Sequence, residues 1–137
     1  MNNERCYLIG ITPGSNEIVA VDCSAMKECR NDEEHFRVLQ KMVAGYIEHV
    51  TEPEELKGRC ICYVNEEGLL KGFTVNIGAS FLLERTIVGR LCVCKGDSPD
   101  TFFTKDEAVK LGKEITEIIK KRYDAAIGRY KEGELKV

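Results

Sequence analysis

The sequence predicts an α+β fold: a mainly antiparallel sheet of about five strands, a mid-chain helix and a long C-terminal helix. Short segments rich in β-branched and aromatic residues alternate with turn signals, which is typical of strands. Two longer segments carry apolar residues three and four positions apart, and each follows a capping box, which is typical of helices. The 137 residues match the common size of one domain. We therefore expect a single domain over residues 1–137.

The first two strands are predicted to form an N-terminal hairpin. Cys6–Thr12 and Glu17–Cys23 are both rich in β-branched side chains. Pro13-Gly14-Ser15-Asn16 lies between them, and proline followed by glycine favours a tight turn because each residue supplies a required backbone angle. The two strands should therefore pair antiparallel.

The mid-chain helix is predicted over Asp32–Val50, behind a capping box formed by Asn31 and Glu34. Gly45 interrupts the pattern, and glycine destabilises a helix interior by ~1 kcal/mol relative to alanine. It indicates either a close backbone approach or a helix that ends early. The apolar face of this helix comprises Phe36, Leu39, Val43, Tyr46, Ile47 and Val50.

Three further strands are predicted in the middle of the chain, at Arg59–Asn65, Leu69–Val75 and Ile87–Lys95. Asn65-Glu66-Glu67-Gly68 is predicted to be the hairpin turn between the first two of them, with glycine at a left-handed position. The segment Asn76–Arg85 fits neither a helix nor a strand clearly.

The C-terminal helix is predicted over Lys105–Lys131, because Thr104 and Glu107 form a second capping box. Its length of ~40 Å exceeds the ~35 Å diameter of a compact domain of this size. The far end should therefore overhang and form a homodimer, or else fray at Gly128 and Gly133. The apolar residues of that end are Tyr123, Ala126, Ile127 and Tyr130.

Charge and hydropathy exclude several classes of protein. The net charge of −3 gives no general attraction to a polyanion, so nucleic-acid binding is disfavoured. The basic run Lys120-Lys121-Arg122 shares its helix with acidic residues, which is typical of a solvated face. No apolar run approaches the ~20 residues of a membrane helix, and Met1–Arg5 lacks the character of a signal peptide. We therefore expect a cytoplasmic protein without membrane contact.

The seven cysteines are predicted to be reduced, because their number is odd and no export signal is present. Cys60 and Cys62 form one C-x-C pair, and Cys92 and Cys94 form another. Two such strands in register could bring four thiols to a zinc ion. Along a strand, however, i and i+2 side chains are ~7 Å apart, whereas sulfur atoms around zinc are ~3.8 Å apart. Burial in the core is the favoured interpretation, and no metal is predicted.

Catalytic and cofactor motifs are missing from the sequence. Phosphate-binding glycine loops, the H-E-x-x-H pattern and the G-x-S-x-G elbow do not occur, so no cofactor is predicted. A catalytic thiol would need His35 or His49 as its partner, and nothing in the sequence places either beside a cysteine. Glu48 and His49 are adjacent in a predicted helix, so their side chains point ~100° apart and do not face one target.

An ordered set of short motifs resembles a known family. The motifs are Gly45-Tyr46-Ile47-Glu48, Asn65-Glu66-Glu67-Gly68, Asn76 and Ile87-Val88-Gly89. Together they are similar to a domain-of-unknown-function family of small proteins from bacteriophages, plasmids and integrative elements. The resemblance covers about residues 36–107 and implies a mobile-element accessory protein. It implies no activity. Ile77 departs from the polar residue that is frequent in the family after the position of Asn76.

The candidate binding residues are the polar members of these motifs: Tyr46, Glu48, Asn65 and Asn76. Each also has a structural interpretation, as a core residue, a local cap or a turn former. The favoured function is a non-enzymatic accessory protein that binds a host protein or a small signalling nucleotide. The alternatives are a small hydrolase that uses Glu48 or a cysteine, and a nucleic-acid-binding module.

Overall fold

The computed structural model describes residues 7–14, 18–22, 32–96 and 102–131. Its strands form one five-stranded antiparallel sheet, and helices cover both faces, which confirms the predicted α+β class. The elements in chain order are β1 (Tyr7–Ile11), β2 (Ile18–Asp22), α1 (Asp32–Val43), β3 (Ile47–Val50), β4 (Cys60–Asn65), α2 (Ile77–Leu83), β5 (Leu91–Lys95) and α3 (Lys105–Lys131). The strand order across the sheet is β2-β1-β5-β4-β3.

The core consists of two layers, because alternate residues of each strand point to opposite faces of the sheet. On one face, Ile9 and Val93 pack with Leu82 of α2 and Ile115 of α3. On the other face, apolar residues of the strands pack beneath Leu39 and Val43 of α1; they include Leu8, Tyr63, Cys92 and Cys94. α1 therefore covers one face of the sheet, whereas α2 and α3 cover the other.

The N-terminal hairpin is confirmed. β1 pairs antiparallel with β2, from Tyr7 opposite Asp22 to Ile11 opposite Ile18. β1 also pairs with β5, which places it inside the sheet. The predicted capping box of Asn31 and Glu34 lies outside the part of the chain whose side chains are described, as do Cys6, Cys23 and Cys29.

The mid-chain helix is shorter than predicted, because α1 ends at Val43 and not at Val50. Ala44 adopts a left-handed φ of 64°, and the N–H of Gly45 donates to the carbonyl of Gln40 at 2.8 Å. These features close the helix. The following residues Ile47–Val50 form β3, which pairs antiparallel with β4. Tertiary pairing therefore overrides the local helical spacing of Ile47 and Val50.

The predicted hairpin around residues 65–68 is wrong, because Leu69–Val75 does not return as a strand. β4 pairs with β3 and β5 instead, and residues 66–72 form consecutive turns. Within that segment, Val75 contributes an isolated bridge, to Val88. The last strand begins at Leu91 and not at Ile87, after Gly89 at a left-handed φ of 76°. The segment that the sequence left ambiguous contains α2.

α3 begins and ends as predicted. The hydroxyl of Thr104 accepts from the N–H of Glu107 at 3.1 Å, and the Glu107 carboxylate accepts from the N–H of Thr104 at 2.9 Å. These two bonds form the predicted capping box. Further along the helix, the Arg122 guanidinium donates to the carbonyl of Leu82 at the end of α2. No helix in the described part of the chain has the length and apolar character that crossing a membrane requires.

Candidate functional site

The four predicted site residues do not line one cleft. Asn65 and Asn76 are buried, with 4% and 1% of their surface exposed. Tyr46 is 65% exposed, and Glu48 lies partly buried on β3. Asn65 and Asn76 both lie near the sheet end at which β4 stops and β5 starts, but their amides face inward. A binding role for these four residues stays a prediction, and the two asparagines have a clear structural role.

Asn65 joins the end of α1 to the turn after β4. Its side-chain Nδ2 donates to the carbonyl of Val43 at 2.9 Å, and its Oδ1 accepts from the N–H of Glu67 at 2.7 Å. Gly45 allows this approach, since a Cβ there would lie 2.6 Å from Asn65 Nδ2. Gly45 of the first motif and Asn65 of the second therefore pack directly against each other.

Asn76 also joins separate segments of the chain through its side-chain amide, on the other side of this sheet end. Its Oδ1 accepts from the N–H of Ala79 at 3.1 Å, so it is the N-cap of α2. Its Nδ2 donates to the carbonyls of Ile11 at 2.8 Å and Gly89 at 2.9 Å. One buried amide thus connects α2, β1 and the segment before β5. Its hydrogen-bonding capacity is used within the chain, which leaves little of it for a ligand.

An exposed apolar surface lies beside these asparagines, and the sequence did not identify it. Leu69 and Leu70 are 77% and 86% exposed on the turns after β4. The turns are anchored to the residues that precede β3: the N–H of Glu66 donates to the carbonyl of Tyr46 at 2.8 Å, and Lys71 Nζ donates to the carbonyl of Ala44 at 3.3 Å. We refer to Tyr46, Leu69 and Leu70 as the corner surface.

A groove of about 550 Å³ runs along the outer part of the sheet on the face that α1 covers. Its apolar wall is formed by Ile47 of β3 with Ile61 and Tyr63 of β4. The rings of His49 and Tyr63 lie 6.1 Å apart at an angle of 54°. Burial raises the pKa of Tyr63 to about 12, so its phenol is protonated at neutral pH. The groove can therefore hold an apolar side chain close to a hydroxyl group.

A second cavity, of about 410 Å³, lies where β4 and β5 meet the first turns of α3. Arg59 donates to both carboxylate oxygens of Glu114 at 2.9 and 2.7 Å. Lys95 contacts both oxygens of Glu107 at 3.1 and 3.0 Å. Two of the cations that line this cavity are therefore neutralised by carboxylates of α3, which disfavours a nucleotide phosphate there.

The two C-x-C pairs point to opposite faces of the sheet. Cys60 and Cys62 lie beneath α2 and α3, whereas Cys92 and Cys94 lie beneath α1. A site made of all four thiols is therefore excluded, although the strands are neighbours. Within the described residues, no three potential ligands among histidine, cysteine, aspartate and glutamate are grouped as a metal site would require.

All four of these cysteines are buried, as the sequence predicts. A hydrogen bond with Cys60 and burial raise the pKa of Cys62, and burial raises the pKa of Cys92 to about 11. Cys60 borders the groove that His49 lines, but Cys60 packs in the core under α2 and α3, whereas the ring of His49 packs with Tyr63 on the face under α1. These two residues therefore do not form a thiol–imidazole pair.

Glu48 and His49 are successive residues of a strand, opposite Val64 and Tyr63 of β4. Their side chains therefore point to opposite faces. In the strand, as in the predicted helix, the side chains of Glu48 and His49 do not face one target.

Comparison with known proteins identifies the family of this chain. A family model with the description Domain of unknown function (DUF3846) matches residues 11–122, which is more than half of the chain. The match extends beyond both ends of the region that the motifs indicate. No curated protein and no solved structure matches the chain. The chain therefore belongs to the family described as Domain of unknown function (DUF3846).

Proposed function

We propose that this chain is a non-enzymatic accessory protein that binds another protein through the corner surface. The observation that carries the proposal is the exposure of Leu69 and Leu70, 77% and 86%, on turns anchored to Tyr46. Adjacent apolar side chains held in the solvent lose the stabilisation that burial would give them. Contiguous exposed apolar residues are a recurrent mark of interaction sites.

The backbone around the corner surface is organised by hydrogen bonds and not by packing of the leucines. The N–H of Lys71 donates to the carbonyl of Glu67 at 2.9 Å, and the N–H of Gly72 donates to that of Leu69 at 3.1 Å. A Cβ on Gly68 would lie 2.7 Å from Val88 Cγ2, so the turn is seated tightly against the chain. A preorganised apolar projection loses less conformational entropy on binding than a flexible one.

A protein is the better-supported partner among the candidates. The resemblance to proteins of mobile elements implies that it is a host protein. A small signalling nucleotide has less support, because Arg59 and Lys95 in the charged cavity are already paired. The hydrolase alternative has less support, since Glu48 and Cys60 lie across the sheet from His49. Cys92 is on the same face as His49, but Tyr63 of β4 lies between them. The nucleic-acid alternative gains no support from the Lys120-Lys121-Arg122 run, in which Lys120 pairs with Asp124 and Arg122 with Glu55.

The corner surface is tested by the double change Leu69→Ser and Leu70→Ser. We expect at least about a tenfold loss of affinity for a protein captured from a lysate of the encoding organism, because the apolar contacts disappear. Capture followed by mass spectrometry identifies the partner, and titration of the purified pair measures the affinity.

The matched control is Val109→Ser, which removes a 42% exposed apolar residue from the distant helix α3. It should leave the affinity unchanged, and neither variant should lower the denaturation midpoint, because none of these side chains is buried. A partner that both variants retain equally well would contradict the proposal.

Self-association through α3 is a second proposal. Arg122 and Tyr123 contact α2, with the Tyr123 and Phe81 rings 5.6 Å apart and edge to face. Tyr123 is nevertheless 49% exposed, and the partly exposed Ala126 and Ile127 follow within the next turn. Two copies of this helix packed antiparallel would bury these residues.

We expect Ile127→Glu to convert a dimer into a monomer in size-exclusion chromatography with light scattering, because a carboxylate cannot be buried unpaired in such an interface. Arg129→Glu is the control, since it also places a glutamate on the last turns of α3 but at an exposed polar position. Ile119 is unsuitable for this test because it packs against the core. A monomer mass for the unchanged protein would refute the dimer.

A further inference from the structure

The outer edge of β3 presents unpaired backbone groups. β3 is the last strand of the sheet, and in the described part of the chain it pairs only with β4. The N–H of Glu66 donates to the carbonyl of Tyr46, and bonded residues alternate along an antiparallel pair. Glu48 and Val50 therefore bond to β4, whereas Ile47 and His49 direct their N–H and C=O groups away from it. These four polar groups have no partner among the described residues.

The groove adjoins this edge. The side chains of Ile47 and His49 line it, above Ile61 and Tyr63 of β4. A strand added next to β3 would place alternate side chains on this face, because side chains alternate along a strand. One face of the added segment would then contact the apolar groove. This arrangement has both features of strand addition: free main-chain groups give affinity, and a pocket for alternate side chains gives specificity.

The acidic residues in and around β3 favour a basic partner. Residues 42–56 contain four glutamates and neither lysine nor arginine. Glu55 pairs with Arg122, and Glu52 accepts weakly from the N–H of Gly58. Among the described residues, neither Glu48 nor Glu54 has a cationic side chain as an ion-pair partner. Carboxylates on and directly after an edge strand attract lysine and arginine and repel a second copy of the same edge.

We propose that β3 binds an extended, basic segment of a protein partner as a sixth strand of the sheet. The proposal rests on the proposed function, because it presumes that the chain binds a protein. It also names the chemistry of that partner: apolar and cationic residues in alternation. The corner surface continues into this edge, since Tyr46 directly precedes β3. A partner strand that pairs with Ile47 and His49 therefore lies next to Tyr46, one member of the corner surface.

The test uses a capped peptide of alternating lysine and valine as the probe, with the backbone amides of the full chain followed by nitrogen-15 NMR. We expect shifts concentrated at the amides of Ile47–Val50, and weaker binding as salt screens the charges. A peptide of alternating glutamate and valine should not bind. The lysine peptide with an N-methyl group on every backbone nitrogen should not bind either, because it retains its charge but has no N–H to donate along either of its edges.

Charge reversal locates the site on the protein. Glu48→Lys combined with Glu54→Lys should lower the affinity for the lysine peptide by about tenfold. The control, Asp106→Lys combined with Glu117→Lys, makes an equal change of charge on α3 and should leave the affinity unchanged. Glu54→Lys alone provides a milder variant at an exposed position if the pair disturbs folding. Peptide binding that survives N-methylation, or shifts located away from β3, would overturn the proposal. The Leu69→Ser, Leu70→Ser variant should still bind the peptide, so failure of strand addition and failure of the corner surface give different results.

Discussion

Replacement of Asn76 by alanine should lower the free energy of unfolding by about 3 kcal/mol, because it removes three hydrogen bonds from a buried site. The carbonyls of Ile11 and Gly89 and the N–H of Ala79 would lose their side-chain partner. Urea denaturation followed by circular dichroism measures the change. A residue used only for ligand binding would leave stability unaffected, so this result separates the structural role of Asn76 from the predicted binding role.

Asn76→Ser is the informative control. Serine is a good N-cap and can still accept from the N–H of Ala79, but it cannot reach both carbonyls. We expect about 2 kcal/mol of destabilisation, between the wild type and the alanine variant. If the serine variant matched the wild type, the connections to β1 and to the segment before β5 would contribute nothing, and Asn76 would be only a cap.

The elements that the sequence predicted best are those whose signals are local. The start of α3 is predictable from the sequence because Thr104 and Glu107 form reciprocal hydrogen bonds across its first turn and a continuous apolar spacing follows. The N-terminal hairpin was found because Pro13-Gly14 specifies a turn between two β-branched segments. In both cases the residues that determine the structure lie close together in the sequence.

The errors occur where distant residues determine the structure. The spacing of Val43, Ile47 and Val50 fits a helix, but Ala44 and Gly45 reverse the chain so that Ile47 can lie opposite Asn65. Leu69 and Leu70 resemble the start of a strand, but both edges of β4 are already paired, one with β3 and the other with β5. Local periodicity cannot reveal which partner a strand will take.

The same limit applies to the candidate sites. Asn65 and Asn76 are candidates from the sequence because they are polar members of the motifs that resemble the family, but the sequence does not show that both amides are used inside the chain. The corner surface depends on the exposure of Leu69 and Leu70, which is a tertiary property. The groove depends on the identification of Ile47–Val50 as a strand. The sequence therefore indicates the region of the candidate sites but not which side chains are exposed to the solvent.

Gly89→Ala should be the second strongly destabilising change, at about 2 kcal/mol. Its φ of 76° is left-handed, which is unfavourable for a residue with a Cβ. The added Cβ would also lie 2.9 Å from Cδ2 of Phe73, so the ring would have to move. Gly72→Ala is the matched control, because φ there is 72° and no atom lies within 4 Å of the position that its methyl group would take. The control should cost about 1 kcal/mol, from the backbone conformation alone.

A double-mutant cycle connects Gly89 to Asn76. The carbonyl of Gly89 accepts from Asn76 Nδ2, so a shift of the backbone at Gly89 weakens the same bond that Asn76→Ala removes. The combined variant should therefore lose less stability than the two single changes added together, by about 0.5 kcal/mol or more. Urea denaturation of the four proteins measures this difference. Strict additivity would mean that the two residues act independently, and the asparagine and glycine motifs would then not form one structural unit at this end of the sheet.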